Sequence, residues 1–342
     1  MRTTGLAFAL CLLPSIGVAH HSFQVFYDPG QTIEIEGEIT RVAWVNPHVE
    51  LTLRDVDGEL WDLETNSVSI LRRMEITADF VSIGDRVRVA GNPARRRDNA
   101  MTVWNILRPS GQEVVLRPSQ AARWADAGIG TSATWLTRDG ASTADASIFR
   151  VWSTSLTDRR SFPFHRPGES RPLRLSEYPL TTSAMASLES FDPETDDPML
   201  NCSAKGMPEI VNTPYPQQFE DGGDRILHHI EEYDTVRTIY MEPGDVEATA
   251  TMTRLGYSVG RWEADSLVVR TTNVDWGYFN SDGIPLSTDA EVVERFTPST
   301  DGSRLDYLIE VTDPATFTET VVLQRHWIWI PGATVEPYNC TS

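Results

Sequence analysis

The chain has little positive charge and almost no lysine. Its 342 residues include 29 lysines and arginines against 49 aspartates and glutamates, a formal net charge of -20 at pH 7. Nucleic acids and anionic membranes are bound mainly through clustered basic residues, so both are disfavoured as partners. A cationic, neutral or metal partner fits better. Lys205 is the single lysine, and we interpret this as codon usage of a GC-rich genome rather than as chemistry.

Sequence motifs of the common enzymes are also missing. The chain has no Ser-His-Asp pattern, phosphate-binding loop, dinucleotide fingerprint or HExxH. Their absence disfavours the usual hydrolase and redox machineries. It leaves open a binding protein or an enzyme that needs no cofactor.

Long apolar runs are confined to the N-terminus. Arg2 precedes an apolar run over residues 5–16, and residues 17–19 form a small-x-Ala cleavage site, the pattern of a signal peptide. The run is too short to span a bilayer. We therefore predict a periplasmic or secreted protein without a membrane span, beginning at His20. The alternative, a lipoprotein anchored at Cys11, would leave almost no apolar run before the cysteine.

Cysteine is scarce: the chain has three, and removal of residues 1–19 leaves Cys202 and Cys340. In an oxidising compartment an even pair is most simply a disulfide. It would close a loop of about 140 residues. A reactive or metal-binding thiol pair is the alternative, although neither cysteine lies in a CxxC motif or near a histidine.

Short strands separated by turns predict an all-β, mainly antiparallel fold in two domains. Residues 20–118 contain five strand-like runs, with a short helix over 67–73 between the third and the fourth, which is typical of a small OB-like β-barrel. Residues 119–146 have no apolar periodicity and are predicted to be a linker. The second domain then covers residues 147–342. It begins with a strand at 147–153 and a helix over 180–191 capped by Thr181 or Thr182.

Antiparallel strands dominate the second domain after Pro216. The clearest pair is a hairpin over residues 257–263 and 266–272 around Ala264-Asp265. These runs favour a larger, lipocalin-like up-and-down barrel or a curved sheet. The last run alternates, so one face carries Val321, Leu323, Arg325, Trp327 and Trp329. The other predicted strands are 217–220, 225–233, 236–241, 291–297, 305–312 and 318–330.

Charged residues recur inside these strands. A barrel interior that held them would need carboxylate-arginine pairs, because unpaired buried charges are costly. Such a lining could bind a polar ligand or supply an acid or base. The alternative is that many lie on the outer, solvated face. The catalytic candidates are Glu232, Arg237, Arg261, Glu263, Glu294 and Arg325, next to Glu231 and Arg295. The candidate ligand contacts are Tyr257, Trp262, Trp276, His326 and Trp327.

Histidines supply the candidate metal ligands. After cleavage His20 would carry a free α-amine and an imidazole, a chelate suited to copper. His21 neighbours it, and His48 could add a third nitrogen across the barrel mouth. Alternatively, the first two are simply exposed and His48 bonds its own turn. The pair His228-His229 has metal-ligand character too, but adjacent residues of a strand point to opposite faces.

Several segments resemble a large family of secreted bacterial proteins of unknown function. They are HHSF (20–23), WVNPH (44–48), FDPETDDPMLNC (191–202), GMP (206–208), PYP (214–216), VRTIYM (236–241), GYSVGRWEADSLVVRTT (256–272), VVERF (292–296) and EPYNC (336–340). The resemblance covers nearly the whole mature chain and is silent on chemistry. It implies histidines where this chain has Tyr257 and the segment 244–245, which puts a metal or acid-base role of those positions in doubt.

The favoured function is therefore an exported small-molecule-binding protein with a pocket in the β-barrel and a copper site at its N-terminus. The alternative is a cofactor-independent hydrolase, isomerase or lyase that uses the carboxylates and arginines of the second barrel. The sequence does not indicate the oligomeric state.

Overall fold

The computed structural model describes residues 26–126, 128–132, 147–193, 195–197, 200, 202–241 and 251–340. Within them the chain forms two β-sheets, each of which closes into a barrel. The predicted all-β, mainly antiparallel class is thereby confirmed. The predicted signal peptide, His20 and His21 lie outside the described residues.

The first barrel has the strand order of an OB-like fold. Antiparallel neighbours follow the order β3-β2-β1-β4-β5, and a parallel pairing of β3 with β5, Asp62 opposite Ala100, closes the ring. Alternate residues such as Leu51, Leu53 and Leu63 fill its core. The strands are β1 (Ile33–Ala43), β2 (Glu50–Asp55), β3 (Leu60–Glu64), β4 (Arg86–Pro93) and β5 (Ala100–Leu107).

One helix, α1 (Val68–Arg73), connects β3 to β4 as predicted. The Ser67 hydroxyl caps it by accepting from the Ile70 amide at 3.4 Å. In the β4–β5 pair, Gly91 is required, because a β-carbon there would lie 1.8 Å from the carbonyl oxygen of Thr102. A register shift at Ala90-Gly91 accompanies this close approach.

Two short strands extend this sheet beyond the barrel: β6 (Glu113–Val115) and β7 (Gly128–Ile129). β7 lies in the segment predicted as a linker. The buried Glu113 carboxylate explains how that segment is held, since it accepts from the backbone amides of Arg123, Trp124 and Ala125 at 2.6, 2.8 and 2.9 Å. Polar anchoring of this kind leaves no apolar period in the sequence.

The second barrel closes through nine strands in the order β10-β11-β12-β13-β14-β15-β16-β8-β9. Neighbours are antiparallel except β11 and β12, which pair in parallel over two residue pairs. The predicted hairpin is confirmed as β12 and β13. The strands are β8 (Val151–Ser153), β9 (Gln217–Asp221), β10 (Arg225–Ile230), β11 (Thr235–Tyr240), β12 (Tyr257–Glu263), β13 (Ser266–Thr272), β14 (Glu291–Pro298), β15 (Arg304–Thr312) and β16 (Val321–Trp329).

Helix α2 (Thr182–Ser190) lies outside the second barrel and is capped by the Thr181 hydroxyl, which accepts from Ala184 N at 3.1 Å. The barrel lumen itself is filled by side chains. Trp152, Phe219, Phe296, Tyr307 and Trp327 are nearly inaccessible to solvent and belong to one apolar core. A packed lumen of this kind is a core and not a ligand pocket, so a site must be sought elsewhere.

The two barrels pack against each other through the turn after β10 and the C-terminal tail. Glu231 accepts from the Ser69 hydroxyl of α1 and from the Glu336 amide. The Asn46 amide donates to the Tyr338 carbonyl at 2.7 Å. Cys340, two residues on, is disulfide-bonded to Cys202, as predicted from the cysteine count.

No helix within the described part of the chain is long and apolar enough to cross a membrane.

Candidate functional site

A cavity of about 1250 Å³ lies between the two barrels. The first barrel contributes one wall, with His48, Glu64 and the residues around Trp104. The second barrel contributes the other through its loops, the turn that carries Glu232, and the strand residues Ile309, Val311 and Leu323. Aromatic side chains from both sides line the cavity: Trp104, Phe162, Phe164, Tyr178, Tyr215 and Phe279. We call this space the cleft.

Lys205, Glu209 and Glu232 form a buried charged cluster in the cleft wall, and we refer to them as the Lys205 cluster. Lys205 is 6% exposed, Glu209 4% and Glu232 1%. The Lys205 ammonium lies 2.9 Å from Glu232 Oε1. The single lysine of the chain is thus buried in the cleft wall and not on the surface.

Local packing fixes the backbone that carries this cluster. A β-carbon at Gly206 would come within 2.5 Å of Trp276 and 2.4 Å of the Arg254 carbonyl. Arg254 holds the chain on both sides: its guanidinium donates to the Lys205 carbonyl at 2.8 Å, and its carbonyl accepts from Met207 N at 2.9 Å. Glu209 then begins a single 3₁₀ turn. Glu232 comes from the turn after β10, where Tyr233 adopts a left-handed backbone.

Electrostatic interactions in the Lys205 cluster keep its lysine charged, and burial brings the pKa of one carboxyl group, that of Glu209, to about 7. Burial alone would lower the pKa of Lys205, but Glu232, Glu209 and Asp197 together raise it above its usual value. Burial raises the pKa of Glu209 to about 7, although Lys205 partly offsets the rise. Near neutral pH the cluster therefore holds an ammonium at Lys205 and a half-ionised Glu209.

Four buried polar atoms in or next to the Lys205 cluster lack hydrogen-bond partners. Glu209 Oε1, Glu232 Oε2, the Tyr233 hydroxyl and Trp276 Nε1 are all buried without one. The Trp276 indole lies close enough to Glu209 to lower its pKa slightly, yet the geometry is not that of a hydrogen bond. Unsatisfied buried polar atoms, two in the cluster and two beside it, weaken the fold, which is a cost typical of functional sites.

The opposite wall carries a second set of polar side chains. His48 Nδ1 donates to the Thr65 carbonyl at 3.1 Å and lies 3.7 Å from Glu64 Oε1. Tyr27 donates its hydroxyl to Glu64 Oε2 at 3.0 Å. Burial raises the pKa of Glu64. Because a carbonyl can only accept, the proton of neutral His48 is on Nδ1 and its lone pair is on Nε2.

Of the predicted charged candidates, Arg237, Glu294 and Arg325 point into the second barrel. Arg237 and Glu294 form a buried ion pair with two hydrogen bonds, and Ser258, Thr271 and Tyr307 complete their bonding. Arg325 has no carboxylate partner in the described part of the chain. Its guanidinium donates to the carbonyls of Val211 and Thr213 and to the Thr154 hydroxyl, and burial lowers its pKa to about 9.

Arg261, Glu263 and Arg295 lie on the outer face of the same barrel, contrary to their expected place in the lining. Glu263 accepts from both arginines, and the three side chains are 39–62% exposed. Strand alternation separates them from the interior: Gly260 and Glu294 are buried next to Arg261 and Arg295. They are therefore solvated ion pairs and not members of an interior site.

The aromatic candidates are spread over the second barrel. Tyr257 stacks on Tyr240, with ring centroids 5.1 Å apart, and Trp262 is 44% exposed. Trp327 is sealed in the core, and His326 lies 3.6 Å from Asp158 on the outside. Only Trp276 approaches the cleft, where it packs on Gly206 beside Glu209.

The histidine candidates also separate. His228 faces the barrel interior, where it bonds Gln217 at 2.6 Å, whereas His229 pairs outside with Glu220. Burial and then Arg237 lower the pKa of His228 well below 6.5, so it is neutral. In the residues that the structure describes, no three His, Cys, Asp or Glu side chains are placed to hold a metal ion.

Sequence reasoning missed Lys205 and Glu209, the most chemically distinctive residues of the cleft. The one distinguishing feature in the sequence was the rarity of lysine: the single lysine lies three residues after Cys202 and directly before the GMP segment. Glu232 was predicted as a catalytic candidate, His48 as a metal ligand and Trp276 as a ligand contact. The fold brings Glu232 and His48 to the cleft and Trp276 beside it.

Comparison with known proteins finds that less than half of the chain is similar to a family without an assigned activity. A model described as "Family of unknown function (DUF6152)" matches residues 9–102, which include β1 to β4 and the start of β5. No curated protein matches the chain.

Proposed function

We propose that this chain is an exported, periplasmic or secreted, small-molecule-binding protein whose ligand occupies the cleft between the two barrels. The observation that carries this proposal is the Lys205 cluster, which lies in the wall of the cleft and includes buried polar atoms without hydrogen-bond partners. Ligand pockets commonly measure ~300–1,000 Å³ and combine apolar lining with a few convergent polar groups. The cleft, which reaches Ile309, Val311 and Leu323 of the second barrel, has that composition, whereas the side chains of Trp152, Phe219, Phe296, Tyr307 and Trp327 fill the rest of that barrel's core.

Export is supported by the signal-like pattern of residues 1–19 and by the disulfide. Disulfides persist in oxidising compartments and are rare in the cytosol.

Filling the cleft should abolish ligand retention. Ser281 lines the cleft and is partly exposed, so Ser281→Trp would occupy the space without breaking a described hydrogen bond. We expect native mass spectrometry of protein purified from its export compartment to show a small-molecule adduct that Ser281→Trp loses. The matched control is Ser183→Trp on the exposed face of α2, which should keep the adduct. An adduct that survives Ser281→Trp would place the ligand elsewhere.

An enzyme is the second candidate, and one observation favours it. Glu209 is buried in the cleft wall with its pKa raised to about 7, the value that suits a general acid or base at neutral pH. Glu294 and Arg237 are sealed inside the barrel, so the acid-base role passes from the predicted lining to Glu209. Conversion of the copurified ligand by the wild-type protein, lost in Glu209→Gln, would identify an enzyme.

Copper binding at the N-terminus is a further part of the proposal. The Thr65 carbonyl accepts from His48 Nδ1, and a backbone carbonyl that orients the second ring nitrogen in this way is common among metal-bound histidines. His20, with its α-amine, and His21 would supply the other nitrogens.

His48→Ala should therefore weaken Cu(II) binding by about tenfold or more, measured by competition with a chelator on protein that begins at His20. One extra N-terminal residue should weaken it similarly, because it removes the α-amine from the chelate. His229→Ala, which alters a histidine on the outside of the second barrel, is the control. Equal affinity in all four proteins would eliminate this site.

A further inference from the structure

The Lys205 cluster sets one ammonium against two buried carboxyl groups. One ammonium faces Glu232 and Glu209, and Asp197 is close enough to raise the pKa of both Lys205 and Glu209. Asp197 is itself 4% exposed. One ammonium is shared between the carboxyl groups of Glu209 and Glu232, so the cluster is electrostatically suited to a second cation.

Hydrogen-bonding capacity indicates the same kind of ligand. Lys205 bonds one oxygen of Glu232, while Glu232 Oε2 and Glu209 Oε1 are buried acceptors without a donor. Buried carboxylate oxygens are expensive to leave unbonded. A group that carries positive charge and several N–H donors would satisfy both deficits together, and a protonated amine is the smallest such group.

The remainder of the cleft suits an organic body. Tyr215, Phe164, Tyr178 and Phe279 line it, and aromatic faces attract cations as well as apolar groups. A bare metal ion fits less well, since no three ligating side chains in the described residues are arranged around one point.

We propose that the cleft binds a small organic amine, whose ammonium group is recognised by Glu209 and Glu232 and whose body packs on the aromatic lining. This inference rests on the proposed function and names its ligand class.

Binding should depend on pH through Glu209. The groups that face Glu209 are Lys205, Asp197, Glu232 and Trp276, and Tyr233 lies close enough for Glu209 to raise its pKa. The pKa of Glu209 is about 7 in the free protein, and a bound cation favours the ionised form. Amine affinity therefore rises as pH increases through 7. One linked proton gives about a tenfold gain between about pH 6 and about pH 8.

The experiment compares benzylamine, which stays protonated over this range, with benzyl alcohol, its neutral counterpart. Calorimetric titration of the full mature protein should show benzylamine binding more tightly and with the stated pH dependence, and benzyl alcohol binding weakly without one. Glu209→Gln should remove the pH dependence, whereas Glu209→Asp, which keeps a carboxyl group, should retain it. Glu263→Gln, on the outer surface, should behave as wild type.

The outcomes separate the two proposals. A copurified adduct that Ser281→Trp removes, together with equal binding of benzylamine and benzyl alcohol, would overturn the amine inference and leave the cleft as a binding site. Benzylamine affinity unchanged in both Glu209 variants and at every pH would also overturn it. Absence of any adduct and of binding by both probes would reject the proposed function itself.

Discussion

Glu294→Ala is expected to destabilise the protein by about 3–5 kcal/mol, because it leaves the Arg237 guanidinium buried without its counter-ion. Arg237 is 1% exposed and Glu294 is inaccessible to solvent. Besides the ion pair, Arg237 donates to Ser258 at 2.9 Å and to Thr271 at 2.6 Å, and Tyr307 donates to Glu294 at 2.9 Å. Neither hydroxyl can replace the lost negative charge.

Urea unfolding followed by circular dichroism measures this effect. The double variant Arg237→Met/Glu294→Leu should recover most of the loss, since apolar residues of similar volume often replace a buried ion pair at little cost. Glu263→Ala removes a carboxylate that also accepts from two arginines, but at the surface. Its unfolding midpoint should match wild type, because exposed ion pairs are screened by water. A Glu294→Ala protein as stable as wild type would show that water reaches the pair.

The contrast between Glu294 and Glu263 also shows what a single sequence can predict. Both lie in alternating strands near an arginine, and these two strands were predicted from the sequence, as were the β12–β13 hairpin and Thr181 as one of two candidate caps of α2. Alternation gives the period of a strand but does not say which face is inside. Which face lies inside depends on the neighbouring strands. The sequence alone therefore did not distinguish the buried Glu294 from the exposed Glu263.

The cleft was beyond prediction for a different reason. Its walls come from both barrels, and the Lys205 cluster joins residues 27 positions apart in irregular segments. Neither segment has an apolar periodicity or a motif that indicates that its charged residues are buried. Glu209 is buried, with a pKa of about 7, because of the way the two barrels pack. That packing cannot be predicted from the local sequence.

Removal of the disulfide is the second change with a large expected effect. Cys202 and Cys340 are 138 residues apart in the chain, with α-carbons 6.0 Å apart. In the chain-entropy model, a cross-link over such a loop contributes about 5 kcal/mol, and loss of native disulfides typically costs about 2–5 kcal/mol. We expect Cys202→Ser/Cys340→Ser to lose stability within that range in urea unfolding. The denatured, unreduced mature protein should titrate with no free thiol.

The same double variant should also weaken amine binding, because the disulfide joins two parts of the interface that shape the cleft. Cys202 lies three residues before Lys205, and the backbone of Cys340 forms an isolated β-bridge with Asn46 of the first barrel. Tyr338, in the same tail, donates its amide to Asp234 at 2.9 Å, in the turn that carries Glu232. Without the disulfide, only these non-covalent contacts remain to hold Lys205 in position against Glu232. Benzylamine affinity measured in conditions where the variant is folded should therefore fall, and unchanged affinity would show that the disulfide stabilises the fold without shaping the cleft.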